Sequence, residues 1–197
     1  MQPYAVKYRS MKLRTYQTDT ISKTADSLRK GKQAPLIVLP TGAGKTVIFS
    51  EIAKRAVQKN NNVLILVHRR ELIKQASKKL ADIKVPHGII AAGFKPSSHP
   101  IQVASVQTIV RRLNKINYKP ALIIIDEAHH SVAGSWKKIL DHFPQAKRIG
   151  VTATPCRLSG QGLRVMFDDL ILGPSVKALV NAGFLSPHKV FGLSLIH

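Results

Sequence analysis

Short, continuous apolar runs alternate with segments of helical periodicity along this 197-residue chain. Apolar runs without polar alternation are typical of strands buried on both faces of a parallel sheet. They predict strands at 35–39, 63–67, 88–92, 101–104, 121–126, 148–152 and 188–193. Periodicity near 3.6 predicts helices at 18–30, 45–59, 71–80, 106–113, 136–143 and 176–182. This alternation predicts an α/β fold with a mainly parallel sheet and helices on both faces.

The same pattern assigns several residues to structural roles. The first helix is expected to turn Ile21, Ala25 and Leu28 inward, and Trp136 is expected to pack in the core. The adjacent acids at 168–169 have no lysine or further acid at nuclease spacing, so a surface loop is predicted there. Residues 1–15 are basic with little periodicity and are predicted to form a lead-in to a domain at 16–187. Residues 188–197 are then the start of a linker or of a further domain.

A glycine-rich turn lies between the first predicted strand and the second predicted helix. Its sequence, residues 39–46, is Leu-Pro-Thr-Gly-Ala-Gly-Lys-Thr. Glycines let backbone N–H groups approach phosphates, a lysine neutralises the β- and γ-phosphates, and the following hydroxyl holds Mg²⁺ at a helix N-terminus. The residues predicted to surround a triphosphate are Thr41, Gly42, Ala43, Gly44, Lys45 and Thr46.

One position departs from the strict phosphate-loop signature, which has glycine where this chain has Leu39. A glycine turn that binds nothing is therefore the alternative at this point.

Two adjacent acids end the most apolar of the predicted strands. Asp126 and Glu127 follow a run of three isoleucines, and the carboxyl ends of parallel strands meet at one edge of a sheet. Asp126 is predicted to hold Mg²⁺ and Glu127 to orient and deprotonate the attacking water, as hydrolysis of a phosphoanhydride requires. The alternative is an acidic strand end that caps the next helix.

The composition predicts the charge of a binding partner and excludes disulfides and Cys-rich metal sites. Lys and Arg number 31 against 10 Asp and Glu, for a net charge of +21. This excess favours a polyanionic partner such as nucleic acid, although a merely basic protein is the alternative because the charge is spread along the chain.

The single cysteine, Cys156, permits no internal disulfide and no Cys-rich zinc site. Neither a signal peptide nor a membrane-length apolar run is visible, so we expect an intracellular, soluble, cytoplasmic protein without a membrane partner.

The phosphate loop, then Asp126-Glu127-Ala128-His129, then Thr152-Ala153-Thr154 resemble the N-terminal ATP-binding domain of superfamily 2 DEAD/DEAH-box-type helicases. The resemblance extends to the branch shared with restriction-enzyme helicase subunits and covers nearly the whole chain. It implies a single RecA-like P-loop domain that uses ATP and Mg²⁺. In that domain Lys45, Asp126 and Glu127 are catalytic, and Thr46 and Asp126 hold the metal.

The resemblance also implies roles for residues outside the two main motifs. Arg14 and Gln17 correspond to the element that reads adenine, although Thr15 stands where the family usually has proline. His129, Thr152 and Thr154 correspond to residues that relay the nucleotide state to the nucleic-acid face. The residues that correspond to nucleic-acid contacts are Arg69, Arg70, Gln75, Ser105, Gln107 and Thr108. Ordinary helix starts, N-caps and a strand ending in a turn are the structural alternatives for these segments.

The predicted function is a motor that couples ATP hydrolysis to movement on, or unwinding of, nucleic acid, with DNA preferred over RNA on the branch resemblance alone. Family members work with a second RecA-like domain, which nothing in this sequence resembles. The chain alone is therefore expected to bind ATP·Mg²⁺ and to hydrolyse it slowly or not at all, with the second domain supplied in trans or by a longer parent chain. The alternatives are a basic nucleic-acid-binding fragment with an idle nucleotide site, or the motor portion of a restriction or repair complex.

Overall fold

The computed structural model describes residues 12–68, 70–130, 134–154 and 166–187. Seven strands within these ranges form one sheet in the order β3-β4-β2-β5-β6-β1-β7, and every neighbouring pair is parallel. The strands are β1 (Pro35–Val38), β2 (Val63–Val67), β3 (Gly88–Ile90), β4 (Ile101–Ser105), β5 (Leu122–Asp126), β6 (Lys147–Thr152) and β7 (Asp169–Leu172). The helices are α1 (Thr15–Arg29), α2 (Lys45–Val57), α3 (Arg70–Asp82), α4 (Val106–Val110), α5 (Gly134–His142) and α6 (Val176–Asn181), with short 3₁₀ turns at Leu113–Lys115 and Ala128–His130.

Alternate strand residues point into two hydrophobic clusters, one on each face of the sheet. Ile37 and Ile124 pack in the cluster that includes residues of α1, α2 and α3. Leu36 and Ile123 pack on the opposite side with α4 and α5, where Trp136 is 1% exposed. The prediction of an α/β fold with a parallel sheet covered on both faces is confirmed, as is the core position of Trp136.

Each predicted helix, and each predicted strand except the one at 188–193, is present with ends that shift by three residues or fewer. The strand predicted at 188–193 lies outside the described residues, as does Cys156. Helix α1 begins at Thr15, and Leu13 packs against the core, so the structured domain reaches into the predicted lead-in.

The buried face of α1 differs from the prediction. Ala25 is exposed, whereas Thr20 and Thr24 are buried beside Ile21. The Thr20 hydroxyl donates to the Tyr16 carbonyl at 2.7 Å, and the Thr24 hydroxyl donates to the Thr20 carbonyl at 2.8 Å. Because each hydroxyl bonds the carbonyl four residues earlier, these polar side chains can be buried without an unsatisfied donor.

The surface loop predicted at the paired acids was wrong. Asp169 begins β7, the edge strand that pairs with β1, and its carboxylate accepts a hydrogen bond from Ser27 that lowers its pKa. Asp168 accepts hydrogen bonds from the backbone N–H groups of Gln33 and Ala34, at 2.7 and 2.9 Å. These acids therefore anchor β7 to α1 and to the entry of β1.

None of the described helices has the length and apolar character needed to cross a membrane.

Candidate nucleotide site at the carboxyl edge of the sheet

The glycine-rich turn connects β1 to α2 at the carboxyl edge of the sheet. Gly42 and Gly44 have φ angles of +81° and +79°, which glycine adopts without the steric cost that a Cβ would add. A Cβ on Gly44 would lie 2.6 Å from the Gln17 side-chain nitrogen, so glycine is also required for space. Helix α2 begins directly after Gly44, which directs its first backbone N–H groups toward the turn.

The leucine that breaks the strict signature is accommodated inside the core. Leu39 is fully buried, and its backbone N–H donates to the Thr152 carbonyl at 3.0 Å. Its side chain fills the space above Gly173, where a Cβ would lie 2.2 Å from Leu39 Cδ2. The Leu39 side chain therefore points away from the glycine turn and does not obstruct it.

The predicted lysine and acids meet at this edge. Lys45 Nζ lies 3.9 Å from Glu127 Oε1, and the Lys45 side chain is only 11% exposed. Asp126 Oδ1 accepts a hydrogen bond from the backbone N–H of Glu127 at 3.0 Å. Glu127 itself has a φ of +50°, a left-handed conformation that is uncommon for a residue with a side chain. This turn directs the Glu127 carboxylate toward Lys45 and away from the strand direction.

Burial and charge make Asp126 a weak acid for its type. The pKa of Asp126 is raised to about 6, mainly by desolvation and next by the neighbouring Glu127 carboxylate, while the hydrogen bond from the Glu127 backbone N–H and the charge of Lys45 partly oppose the change. Two adjacent carboxylates beside one lysine leave the local site short of positive charge.

The donor set suits a divalent cation that is bound together with phosphates. Mg²⁺ prefers oxygen ligands and is usually held by one or two protein groups, with waters and phosphate oxygens completing its shell. Asp126 and the half-buried Thr46 supply a carboxylate and a hydroxyl. The described residues contain no cluster of three or more His, Cys, Asp or Glu that could hold a metal by themselves.

A chain of polar contacts connects the acids to the end of β6. His129 Nδ1 lies 3.2 Å from Glu127 Oε2 and 3.0 Å from Thr152 Oγ1. Thr152 is fully buried, and its hydroxyl oxygen accepts a hydrogen bond from the Thr154 backbone N–H at 3.3 Å. The three residues predicted to act in coupling are therefore contiguous with the acid pair. Pro155 lies outside the described residues.

On the other side of the glycine turn lies a cluster that contains both predicted adenine-reading residues. Gln17 is buried; its oxygen accepts from the Arg14 backbone N–H at 3.0 Å, and its amide nitrogen donates to the Ala43 carbonyl at 3.4 Å. The Tyr16 hydroxyl donates to the same carbonyl at 2.8 Å. The Arg14 guanidinium lies 4.7 Å from the ring centre of Phe184. Gln17 thus supports the turn, whereas Arg14 presents an exposed cation stacked on an aromatic ring.

Sequence reasoning missed the contributions of Tyr16 and Phe184. Tyr16 stands inside the predicted adenine-reading segment, so its position was the available signal. Phe184 lies 170 residues from Arg14 along the chain, and no sequence pattern indicated that the turn after α6 returns to the glycine turn.

The predicted nucleic-acid contacts lie partly outside the described structure. Neither Arg69 nor the side chain of Arg70 is described. Gln75 is exposed on α3. Val67 at the end of β2 pairs with Ser105 at the end of β4, so the two segments that carry these predictions are neighbours on the carboxyl edge.

The second of these segments begins helix α4. Gln107 is exposed and Thr108 is half-buried. Ser105 occupies the N-cap position, but its side chain forms no capping hydrogen bond, so the N-cap alternative is not supported for this hydroxyl.

Comparison with known proteins identifies the family. Residues 10–157 match the family model ResIII, described as the res subunit of type III restriction enzymes. The chain belongs to this family. Its fold and motifs are those of the N-terminal RecA-like domain of superfamily 2 helicases, as the sequence predicted.

Relatives from three sources match most of the chain. The 51.5 kDa protein of Lactococcus phage isolate 7-9 is 37% identical over 82% of this chain and 33% of its own length. IRC3 of Saccharomyces cerevisiae, by name a candidate ATP-dependent helicase, is 37% identical over 92% of this chain and 29% of its own length. The EcoAI endonuclease subunit of a type I restriction enzyme from Escherichia coli is 31% identical over 90% of this chain and 24% of its own length. The chain therefore spans a third or less of the length of these relatives.

Solved helicase structures share the fold. The UvsW helicase of bacteriophage T4 superposes with a TM-score of 0.70 at 18% identity, covering 85% of this chain and 64% of that chain. The Hef helicase domain of Pyrococcus furiosus superposes with a TM-score of 0.68 at 25% identity, covering 81% of this chain and 37% of that chain.

Proposed function

We propose that this domain binds ATP with Mg²⁺ between the glycine turn and the acid pair, and couples hydrolysis to movement along DNA. The observation that carries this proposal is the convergence of Lys45 and Glu127, at 3.9 Å, on the carboxyl edge where α2 begins. Lys45 would neutralise the β- and γ-phosphates, and Thr46 with Asp126 would hold the metal, which supplies charge neutralisation at the transferred phosphoryl group. Glu127 would orient the attacking water and accept its proton.

Arg14 is the group we assign to the nucleobase. Its guanidinium is exposed and stacked on Phe184, so its free face is available to a second planar ring. The amide of Gln17 is already bonded to Arg14 and Ala43, so in this arrangement its role is to fix the turn. A direct contact between Gln17 and adenine would require both of these bonds to rearrange.

The coupling route follows the contacts from Glu127 through His129 to Thr152. A change in charge at the γ-phosphate position changes the electrostatic interactions of the Glu127 carboxylate, which contacts His129 directly. The end of β6 and the predicted nucleic-acid segments at β2 and β4 lie on the same edge of the sheet. We propose that the nucleotide state reaches bound DNA along this edge.

Because the matched regions cover only 33%, 29% and 24% of the length of these three relatives, we propose that a second RecA-like domain completes the motor. An arginine supplied by a second domain is worth about 10³ to 10⁵ in rate in related phosphoryl-transfer systems. We expect the 197-residue chain to bind ATP·Mg²⁺ and to turn it over slowly.

Binding of a fluorescent ATP analogue tests the proposal directly. Lys45→Ala should abolish Mg²⁺-dependent binding, whereas Lys59→Ala, an exposed lysine just past the end of α2, should leave it unchanged. Equal binding by the wild type and Lys45→Ala would refute the nucleotide site. Fast turnover by the chain alone, abolished in Lys45→Ala, would refute the need for a second domain but not the site.

The second candidate function is a nucleic-acid-binding protein with an idle nucleotide site, which the net charge of +21 favours. That function predicts DNA binding with the same affinity in the presence and absence of ATP·Mg²⁺, and in Lys45→Ala.

A further inference from the structure

A cavity lies beside the outer strands β3 and β4, away from the glycine turn that follows β1. Its volume is about 630 Å³, and residues of β3, the start of β4 and the segment between α4 and β5 line it. Gln102 is the second residue of β4, and Lys119 precedes β5, so the cavity opens at the amino-terminal edge. We call it the basic cavity. The basic cavity is distinct from the nucleotide site, and two of its arginines, Arg111 and Arg112, directly follow α4, the helix that carries the predicted nucleic-acid contacts Gln107 and Thr108.

The charge around the basic cavity has one sign. Arg111, Arg112, Lys115 and Lys119 line it and are all exposed, and no Asp or Glu occurs among the described residues of its wall. None of these four cations pairs with a carboxylate in the part of the chain that the structure describes. Unpaired cations around a concave surface concentrate positive potential, which favours an anion with several charges.

The basic cavity also offers an apolar surface that includes an aromatic ring. Phe94 lines it with 37% of its area exposed, and it is the only aromatic residue among the large exposed hydrophobic residues of the described chain. Ile89 and Ile116 add half-buried aliphatic surface beside it. An aromatic ring next to cations is the combination that binds single-stranded nucleic acid, because bases stack while phosphates contact the charges.

The wall behind this surface is held in place by hydrogen bonds. Gln102 is 1% exposed, and its amide nitrogen donates to the carbonyls of Ser97 and His99, both at 2.9 Å. Its Oε1 has no hydrogen-bond donor in the described structure. The Tyr118 hydroxyl lies 2.8 Å from the Pro100 carbonyl. A pre-formed wall lowers the entropy cost of ligand binding.

We propose that the basic cavity binds one nucleotide unit of a single strand, with the base on Phe94 and the flanking phosphates on Arg111, Arg112 and the two lysines. This extends the nucleic-acid partner of the proposed function, and it rests on that function only for the class of ligand. The site gives the domain a contact with a strand on the edge away from ATP, outside the track that the helicase motifs predict.

Fluorescence anisotropy with a labelled oligo-dT at several salt concentrations tests the proposal. Phe94→Ala should weaken binding by roughly 5- to 150-fold, the range that corresponds to the loss of one base–aromatic stacking contact. The double variant Arg111→Gln/Arg112→Gln should also lower the salt slope by about 1.4, because each single-strand phosphate contact contributes about 0.7. The matched control is Lys137→Gln/Lys138→Gln, which removes the same charge from two exposed positions on α5 outside the cavity. The control should keep the wild-type slope.

An abasic oligonucleotide separates stacking from charge. Phe94→Ala should bind it as the wild type does, whereas Arg111→Gln/Arg112→Gln should still be weakened. Phe94→Tyr should restore oligo-dT binding, which distinguishes a stacking role from a structural one.

Three results would overturn the assignment. Equal losses in the cavity and control variants would mean that only general charge acts. Loss of abasic binding in Phe94→Ala would mean that the ring is structural. Displacement of the labelled strand by thymidine monophosphate at the strand's own affinity would mean that the cavity takes free nucleotides. Failure of the wild type to bind any oligonucleotide would instead refute the nucleic-acid partner in the proposed function itself.

Discussion

Asp126 is predicted to make the protein less stable at neutral pH than it would be with a neutral side chain at this position. Its folded-state pKa of about 6 lies above the ordinary value of 3.8, because burial and Glu127 disfavour the charged form. An acid with a raised pKa stabilises the fold below its unfolded pKa, and this contribution is lost as the pH rises through the folded pKa. The loss falls between about pH 3.8 and pH 6. At 1.36 kcal/mol per pKa unit it amounts to about 3 kcal/mol, to order of magnitude.

Asp126→Asn removes the titration and keeps the shape of the side chain. We expect the free energy of unfolding of Asp126→Asn, minus that of the wild type, to rise by about 3 kcal/mol from pH 3.5 to pH 7. Urea unfolding at both pH values, with EDTA present, measures this difference, and the effects of all other titrating groups largely cancel between the two proteins.

Saturating Mg²⁺·ATP at pH 7 should reverse the order of stability, because a bound cation is stabilised by the Asp126 carboxylate and not by an amide. A difference between the two proteins that does not change with pH would refute the reasoning, and so would a destabilised Asp126→Asn at pH 7 without ligand.

Two further predictions concern the geometry of the site. Gly44→Ala should destabilise the fold and weaken ATP binding, because the φ of Gly44 is +79° and the new Cβ would collide with the Gln17 side chain. The control is Gly31→Ala, where φ is +92° but no atom lies close to the new Cβ. This control should lose only about 1–2 kcal/mol of stability to backbone strain and should leave ATP binding unchanged. Thr152→Val should cost about 1–3 kcal/mol in urea unfolding, because it removes both hydrogen bonds of a fully buried hydroxyl and each is worth about 0.5–1.5 kcal/mol. Thr152→Ser should recover most of this loss, and equal losses in the two variants would contradict the hydrogen-bond argument.

The residues at the carboxyl edge could be predicted from the sequence because the topology of a parallel sheet determines which residues lie there. In a parallel sheet the carboxyl ends of all strands lie at one edge, so correct strand assignments were enough to place Lys45, after β1, and Asp126, at the end of β5, on the same edge, although β6 lies between these two strands. The apolar runs before both residues were long enough to be unambiguous. The strain at Glu127 could not be predicted, since a positive φ at a glutamate has no sequence signature.

Two errors have a common physical origin in polar side chains whose hydrogen bonds are satisfied within the fold. The inward face of α1 contains Thr20 and Thr24, whose hydroxyls bond to the helix backbone and so behave in the core as small apolar groups. Strand β7 was missed because it begins with an acid and leaves Leu170 and Leu172 45% and 59% exposed at the sheet edge. Hydrophobic periodicity carries no information about hydrogen bonds that a side chain makes to its own backbone or to a distant turn.

The distribution of charge separates the two kinds of anion that this domain is proposed to bind. The chain has a net charge of +21, yet two of its ten acidic residues are adjacent in the nucleotide site, beside a single lysine. A bare phosphate of a nucleic-acid backbone would meet unscreened carboxylates there, whereas a triphosphate that carries Mg²⁺ brings the charge that the site lacks. The surface cations, including those of the basic cavity, have no such requirement and favour the bare polyanion. The Glu127 charge contributes to the raised pKa of Asp126, which is consistent with a site that favours a ligand bringing its own cation over a bare nucleic-acid strand.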